Sequence, residues 1–342
     1  MSAYIFLYHE YRWRCPVNYF QNISRLLFIL VLFTSAHVFA EFTKEYHKTF
    51  KVEEGTKLHL RHGDGDVRVE PWDKDELQVD VFYRAAGDQE DEKLFRVEFD
   101  QRDNKIYIVG KEFRGSWTGD GRRTYEYRFA IKAPAYILMD LEGDDGDVNV
   151  TGWRNDLMIN LSDGNVDLED IKAGIVEIDL EDGDLTIRRF EGELSVSCED
   201  GDVILEEISS TFSDIGNQDG TVKIRNARGK FRIRTEDGNC RISGMKAEEL
   251  DIRAQDGNVD IQIVDEVSPR IKASCQDGNI DLEIPAGTDA ELQINARRGS
   301  IRTNLDNPRI EMDEKDNFRA ILGSGKGSID LSASDGRVTV RQ

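Results

Sequence analysis

Apolar and polar residues alternate along most of the chain, and a recurring Asp-Gly dipeptide interrupts the alternation at regular intervals. Between residues 145 and 278 the dipeptide occurs eight times, with spacings of 18, 19, 18, 19, 18, 19 and 21 residues. At nearly every repeat, apolar residues lie four and six positions before the Asp and three and five positions after it. Period-two alternation is typical of strands that bury one face, and a fixed period indicates a repeat architecture. The pattern therefore predicts an all-β fold built from equivalent repeats.

Each repeat is predicted to contain a strand, an Asp-Gly turn, a second strand and a corner. The corner carries a further apolar residue eight positions after the Asp, such as Trp153 or Phe190. In a single-chain β-solenoid, or β-helix, each coil of 18–19 residues would stack equivalent residues in columns. In a β-hairpin meander, each Asp-Gly would be a two-residue loop. The plus-eight position favours the solenoid, because the next inward residue of a hairpin would be at plus seven.

The same pattern predicts how the chain is divided. We expect a leader over residues 1–40 and an N-terminal variant β region over 41–135. The regular array follows over 136–284, and irregular capping coils follow over 285–342. An outlying copy of the motif lies at 63–69, before the array. Beyond the array, Arg298-Gly299 falls 21 residues after Asp277 and Asp335-Gly336 falls 37 residues later. Terminal repeats of solenoids are commonly atypical because they cap the core.

The leader has the features of a secretory signal peptide with an upstream extension. Residues 26–40 are mostly apolar, follow Arg25 and end at Ala40, directly before Glu41. A basic flank, a short apolar core and a small residue at the cleavage position are typical of such signals. The apolar run is too short for a good membrane span. We therefore predict cleavage after Ala40, export to the periplasm or to the cell surface, and no stable membrane span afterwards.

Charge and cysteine content narrow the possible partners. The formal net charge is −22; the first 40 residues carry three arginines and one glutamate, or +2, so the remainder carries −24. Nucleic acids and anionic membranes are bound by arrays of Lys and Arg, so this charge argues against both. Cys198 and Cys275 share a column four repeats apart, and Cys240 lies at another inward position. We predict that all three are core residues, without a disulfide or a metal.

The turns supply the first candidate site. In a stack, the turn Asp residues and the Asp, Asn or Thr residues two positions later would form adjacent columns of oxygen atoms. Closely spaced oxygen ligands suit Ca²⁺, which would also relieve repulsion between carboxylates. The candidate ligands are Asp145, Asp147, Asp163, Asp182, Asp184, Asp200 and Asp202. The alternative is that these residues are simply good turn formers, and it is favoured because the nonapeptide of calcium-binding β-rolls is absent.

Residues suited to catalysis are few. Outside the leader the histidines are His47, His59 and His62, none of them in the array, which excludes a His-based triad or a His-rich metal centre there. His59 and His62 would point to opposite faces of a strand, and we interpret them as surface residues. Carboxylates are abundant, so a carbohydrate-active enzyme of the β-helix type, a polysaccharide lyase or hydrolase, is the alternative function. Such an enzyme needs long loops that build a cleft, and the short coils have no room for them. We therefore predict no catalytic residues and no enzyme activity.

The loop at residues 114–123 is the second candidate site, because it is basic and aromatic in an acidic chain. Its candidate binding residues are Arg114, Trp117, Arg122 and Arg123. Trp with Arg could stack on a sugar ring or anchor a protein partner. The alternative is a plain connection between two strands.

Three motifs resemble the bacterial putative-adhesin family of β-strand repeats, a domain of unknown function. They are the glycine turn and strand at 63–72, the strand ending at Pro134, and the closing Gly-Ser pattern from Gly323 to Val338. The resemblance covers about residues 45–342, implies a surface role and offers no catalytic residues. We therefore predict a non-enzymatic exported β-solenoid, an adhesin or envelope scaffold that binds an envelope protein or a glycan. A Ca²⁺-stabilised surface adhesin is a third hypothesis.

Overall fold

The computed structural model describes residues 41–86, 95–112, 125–265 and 267–342. These residues form strands that belong to one sheet, and they contain no helix, so the predicted all-β class is confirmed. In particular, no described residue is part of a helix long and apolar enough to cross a membrane.

The strands fall into three groups along the chain. The N-terminal strands are β1 (Glu41–Lys51), β2 (Lys57–Asp64), β3 (Asp66–Pro71), β4 (Glu76–Ala86), β5 (Phe95–Arg102), β6 (Lys105–Glu112) and β7 (Tyr125–Ala133). The array consists of β8 (Leu138–Asp145), β9 (Val148–Thr151), β10 (Leu157–Asp163), β11 (Val166–Asp182), β12 (Leu185–Asp200), β13 (Val203–Asp219), β14 (Val222–Arg225), β15 (Arg228–Asp237), β16 (Cys240–Asp256), β17 (Val259–Ile263), β18 (Arg270–Asp277) and β19 (Ile280–Glu283). The C-terminal strands are β20 (Ala290–Ala296), β21 (Ser300–Asn304), β22 (Arg309–Asp313), β23 (Asn317–Leu322), β24 (Gly327–Asp335) and β25 (Arg337–Arg341).

Successive repeats of the array pair in parallel, one repeat apart. Strand β12 lies between β11 and β13, with its Asp200 opposite Asp182 on one side and Asp219 on the other. The pairings among the described residues of β8–β19 are all parallel, whereas a hairpin meander would pair the two strands of each repeat antiparallel. The repeats are therefore stacked coils, and equivalent residues form columns with a step of about 4.8 Å.

Inward residues of neighbouring coils build the core. In β12, Leu194, Val196 and Cys198 are buried, and the residues between them are exposed. One coil has no second layer to cover this face, so the face is buried only by stacking. The predicted core cysteines are free and buried, and burial raises the pKa of Cys198 and of Cys275 to about 11.

The turn glycines allow the coils to approach closely. Gly201 has a φ of +149°, and a Cβ atom on it would lie 2.1 Å from the carbonyl oxygen of Gly183 in the neighbouring coil. The backbone N–H of Gly183 in turn donates to the carbonyl oxygen of Asp200 at 2.9 Å. Glycine is therefore required at these turns both for its backbone angle and for its missing side chain.

A second corner explains the apolar residue at plus eight. The residue seven positions after the turn Asp has φ between +55° and +68° in successive coils, at Gly152, Asp170, Arg189, Glu207, Asn226 and Gly244. This left-handed residue bends the chain and leaves its own side chain outside. The following residue then enters the core, as Phe190 and Met245 do.

At both ends, the order of the coils in space differs from their order in the chain. Strand β2 lies between β6 and β8, so the outlying turn at Asp64 stacks directly on Asp145. Strand β24 lies between β18 and β20, which places Asp335 opposite Asp277. The turn at Arg298 therefore lies outside the turn at Asp335, although it comes first in the chain.

The closing Gly-Ser motif wraps a carboxylate. Asp289 accepts the backbone N–H of Ser324 at 2.7 Å and that of Lys326 at 3.1 Å. Hydrogen bonds from Ser324 and Lys326 lower the pKa of Asp289 to about 2. The motif thus fastens the turn before β24 to the start of β20.

Candidate functional site

The turn Asp residues lie in one column, as the repeat predicts. Asp145 is opposite Asp64 on one side and opposite Asp163 on the other. Burial raises the pKa of Asp145, and the negative charges of Asp64 and Asp163 add to the shift. The pKa of Asp256 is raised by burial and by its own column neighbours. Like charges therefore do repel along this column.

The plus-two residues form a second column, in which the Asp and Asn side chains accept a backbone N–H from the next coil. Asp184 Oδ1 accepts the backbone N–H of Asp202 at 2.8 Å, and Asp202 Oδ1 accepts that of Thr221 at 2.8 Å. Asn239 Oδ1 likewise accepts the backbone N–H of Asn258 at 3.0 Å. Sequence reasoning missed this role, although the restriction of plus two to Asp, Asn and Thr over the array was its signal.

The predicted calcium ligands lie in these two columns, and some of their oxygen atoms are already hydrogen-bonded. Asp145, Asp163, Asp182 and Asp200 lie in the turn column, and Asp147, Asp184 and Asp202 lie in the plus-two column. One oxygen of each plus-two carboxylate already accepts a backbone N–H. Over the described ranges, no three Asp, Glu, His or Cys side chains form a group that could hold a metal ion. The structure thus aligns the candidates in columns without gathering them around one point.

The two neighbouring histidines occupy opposite faces, as predicted, but only one is a surface residue. His59 contacts Asp140 at 2.9 Å and stacks on Tyr107 with ring centroids 4.9 Å apart. His62 is 2% exposed, so the surface interpretation is wrong for it. Gly143 leaves the space, since a Cβ there would lie 2.3 Å from the His62 ring. Burial lowers the pKa of His62 to about 4.

Two predicted features lie outside the described residues. One is the loop with Arg114, Trp117, Arg122 and Arg123, which follows β6 and precedes β7. The other is the leader over residues 1–40.

A groove on the outward face of the N-terminal strands is the best candidate site, and we call it the N-terminal groove. Its volume is about 780 Å³. Strand β7 pairs antiparallel with β4 and parallel with β3, so the groove lies where the two kinds of pairing meet. Its principal outward side chains are Glu45, His47, Asp66, Arg68, Asp80, Phe82, Arg128, Asn149 and Thr151.

An aromatic-cation pair lies in the N-terminal groove. The guanidinium of Arg128 lies over the Phe82 ring, 5.4 Å from its centroid, and also contacts Glu126 at 3.2 Å. His47 Nδ1 contacts Asp80 in a short pair. Although burial opposes the shift, hydrogen bonds from His47 and Gln78 lower the pKa of Asp80. The groove therefore presents a flat apolar ring, cations and hydrogen-bonding groups within one concave surface.

Sequence reasoning did not find the N-terminal groove. Its residues come from five strands, β1, β3, β4, β7 and β9, spread from Glu45 to Thr151. Alternation shows that residues such as Phe82 and Arg128 face outward, but it does not show which strands are neighbours. Strand order had to be known before these residues could be grouped.

The fold defines an all-β repeat protein whose coils stack through Asp-Gly turns. Residues 55–341 match the family model described as Toastrack DUF4097, and the chain belongs to this family. The family is a domain of unknown function, so the predicted resemblance to such a repeat family is confirmed. No curated protein matches the chain.

The solved structures that match this chain include three from bacteria. A putative cell adhesion protein from Clostridium sporogenes is 11% identical, with 88% of this chain and 100% of that chain covered and a TM-score of 0.22. A putative adhesin from Bacteroides fragilis is 13% identical, with coverages of 87% and 96% and a TM-score of 0.35. A putative adhesin from Parabacteroides distasonis is 12% identical, with coverages of 86% and 97% and a TM-score of 0.38.

Proposed function

We propose that this protein is a non-enzymatic, exported binding scaffold of the cell envelope that holds a protein or a glycan, in the manner of an adhesin. The observation that carries the proposal is the N-terminal groove with its Phe82–Arg128 pair. Aromatic rings and arginines are the side chains that most often anchor partners. The groove is built on paired strands, which hold such side chains in fixed positions.

The ionisable groups of the groove support recognition over proton transfer. His47 is paired with Asp80, Arg68 with Glu70 at 2.8 Å, and Asp66 accepts the N–H of Asp147 at 3.2 Å. Groups already held in such pairs can fix the orientation of a partner. Export is supported by the apolar run and the small residue at position 40, which are typical of a cleaved signal.

Binding and turnover can be measured on the same material. Purified protein is titrated with isolated envelope polysaccharide and with solubilised envelope proteins, and the polysaccharide chain length is followed in parallel. We expect saturable binding with no shortening of the polymer, and binding weakened about tenfold by Phe82→Ala or Arg128→Ala. Arg225→Ala is the control, because Arg225 is an exposed arginine on the array with its own partner, Glu206 at 2.7 Å. Shortened polysaccharide would instead identify an enzyme.

A further inference from the structure

One coil of the array reverses the charge of the rest of the protein. Residues 223–234 contain six Lys or Arg residues and no Asp or Glu, in a chain whose net charge is −22. The six cations are outward side chains of a single coil, formed by β14 and β15. A concentration of one charge sign on an oppositely charged molecule attracts a ligand to that place.

Most of these cations are neutralised by the preceding coil, but two are not. Lys223 contacts Asp202 and Arg234 contacts Asp214, each at 2.7 Å. Between the described residues, no carboxylate lies within ion-pair distance of Arg228 or Lys230. The Nε–H of Arg228 donates instead to the Ser209 hydroxyl at 2.7 Å. Both cations therefore keep their charge available to a ligand.

The two free cations line a groove at the corner of the stack, which we call the corner groove. Its volume is about 850 Å³. One wall is a column of residues in register, Lys172, Glu191, Ser209, Arg228 and Lys246. Four steps of about 4.8 Å make this wall about 19 Å long. Lys230 and Glu248 also line the corner groove. The length suits a segment of an extended polymer better than a single ion.

A β-bulge exposes an aromatic ring next to Thr211, which lines the corner groove. Ser210 is opposite Gly192 and Ser213 is opposite Leu194, so two residues of β13 face one residue of β12. The extra residue leaves Phe212 at 37% exposure. Arg232 lies over the Phe212 ring, 5.4 Å from its centroid. Bulges commonly re-aim a side chain in this way, and here the result is an exposed aromatic ring in contact with a cation.

We propose that the corner groove binds an anionic polysaccharide. Arg228 and Lys230 contact its acidic groups, and Phe212 stacks against the face of a sugar ring. The proposal rests on the proposed binding function and assigns it a ligand class and a second site. A saccharide is favoured over nucleic acid because the molecule as a whole is strongly acidic. A polymer with a phosphate at every unit is repelled along its length, whereas widely spaced charges on sugars need only the local cations.

The test uses full-length protein and defined polymers. Hyaluronate, κ-carrageenan, neutral dextran and single-stranded oligothymidine are titrated by calorimetry at low and at high salt. Hyaluronate carries one carboxylate and κ-carrageenan one sulfate ester on every second sugar, so the pair distinguishes the acidic group while the charges stay widely spaced. The main variant is the double substitution Arg228→Gln with Lys230→Gln, and the second is Phe212→Ser. The matched control is Arg241→Gln with Arg253→Gln, which removes the same charge from exposed positions on other faces of β16.

We expect at least one anionic polysaccharide to bind, neutral dextran not to bind, and salt to weaken binding. The double variant should weaken binding about tenfold and the control variant less than about twofold. Phe212→Ser should weaken binding of the polysaccharide while its salt dependence persists. Equal losses in the double variant and its control, or tighter binding of oligothymidine, would overturn the proposal. If an anionic polysaccharide binds but only Phe82→Ala and Arg128→Ala weaken it, the corner groove is excluded and the proposed function stands.

Discussion

In six successive coils, the residue seven positions after the turn Asp is held in a backbone conformation that most side chains avoid. Asp170, Arg189 and Glu207 have φ between +55° and +58°, where glycine and asparagine are the residues normally found. The coils tolerate this strain because the corner must bend before the next inward residue. Gly152 and Gly244 occupy the same position without strain.

Replacing one of these residues with glycine should stabilise the protein. Glu207→Gly removes the left-handed strain, and we expect it to raise the free energy of unfolding by about 1 kcal/mol. Glu199→Gly is the control, because Glu199 is an exposed strand residue without positive φ, and glycine there should cost about 0.5–1 kcal/mol. Urea unfolding of both variants measures the difference. Equal effects of the two substitutions would show that the corner is not strained.

Buried His62 should make stability depend on pH. Its pKa is about 4 in the folded protein, below the ordinary value of 6.5, because burial disfavours the charged ring. The unfolded chain therefore binds the proton first, and stability is lost as the pH falls from about 6.5 towards about 4, by about 3 kcal/mol in total. His62→Leu, which introduces the residue type found further along the same column at Leu161 and Leu180, should remove that slope.

Unfolding free energies measured from pH 7 to pH 4 test this prediction. His47→Leu is the control, because the side chain of His47 is largely exposed and contributes little burial. A wild-type slope that survives in His62→Leu would mean that other groups cause it.

Calcium should have no effect on stability if the Asp columns are purely structural. One oxygen each of Asp147, Asp184 and Asp202 already accepts a backbone N–H, and no three carboxylates of the described residues form a group that could hold a metal ion. We expect the same Tm with millimolar Ca²⁺ and with a chelator. A ligand that binds only the folded state must raise Tm, so a clear rise with Ca²⁺ would establish the turn column as a metal site.

The Asp-Gly turn, as an element, depends on contact between glycines of adjacent coils. In Gly201→Ala the new Cβ would lie 2.1 Å from the Gly183 carbonyl oxygen, and backbone atoms cannot move aside cheaply. We expect a loss of more than about 3 kcal/mol, at the upper end for a single substitution. Gly287→Ala is the matched control, since Gly287 has φ +84° and no atom within 4 Å of its Cβ position, so only about 1 kcal/mol of backbone strain applies. Thermal unfolding of the two variants should separate the cost of the clash with the neighbouring coil from the cost of placing alanine at a positive φ.

The elements of the array could be predicted because each coil repeats the same inward pattern. The spacing that places Ile178 opposite Val196 is visible in the sequence, and so is the plus-eight position that argued against hairpins. The sequence did not reveal that His62 is buried, because its space comes from a missing side chain at Gly143 in another coil. Nor did it group Phe82 with Arg128, since that contact depends on the order of strands.

The sequence also did not show which cationic residues are left without an ion pair. Sequence reasoning singled out the loop around Trp117 as the basic, aromatic patch of the chain, yet the coil at 223–234 carries more cations. Its pattern looked like ordinary strand alternation. Its significance appears only when the ion pairs of the preceding coil are known, because those pairs separate Arg228 and Lys230 from the cations that are already neutralised.

The stack as a whole is closed by a coil inserted out of chain order. Strands β20 and β21 pair with β23, β24 and β25, and their described residues make no pairing with β18 or β19. The end of the array is covered instead by β24 and β25, the last strands of the chain. The C-terminal coil therefore joins residues 290–304 to the rest of the molecule.

Removing residues 305–342 should consequently release residues 290–304 while leaving the array folded. In repeat proteins each coil contacts only its neighbours, so coils distant from the cut keep their partners. We expect hydrogen exchange in the truncated protein to lose protection over β20 and β21 and to retain it over β11, β12 and β13. If β20 instead stacked directly on β18, as the 21-residue spacing between Asp277 and Arg298 would allow, its protection would persist. That result would show that β20 can pack directly on β18 when β24 is absent. The sequence would then allow two arrangements at the end of the stack, with and without the inserted coil.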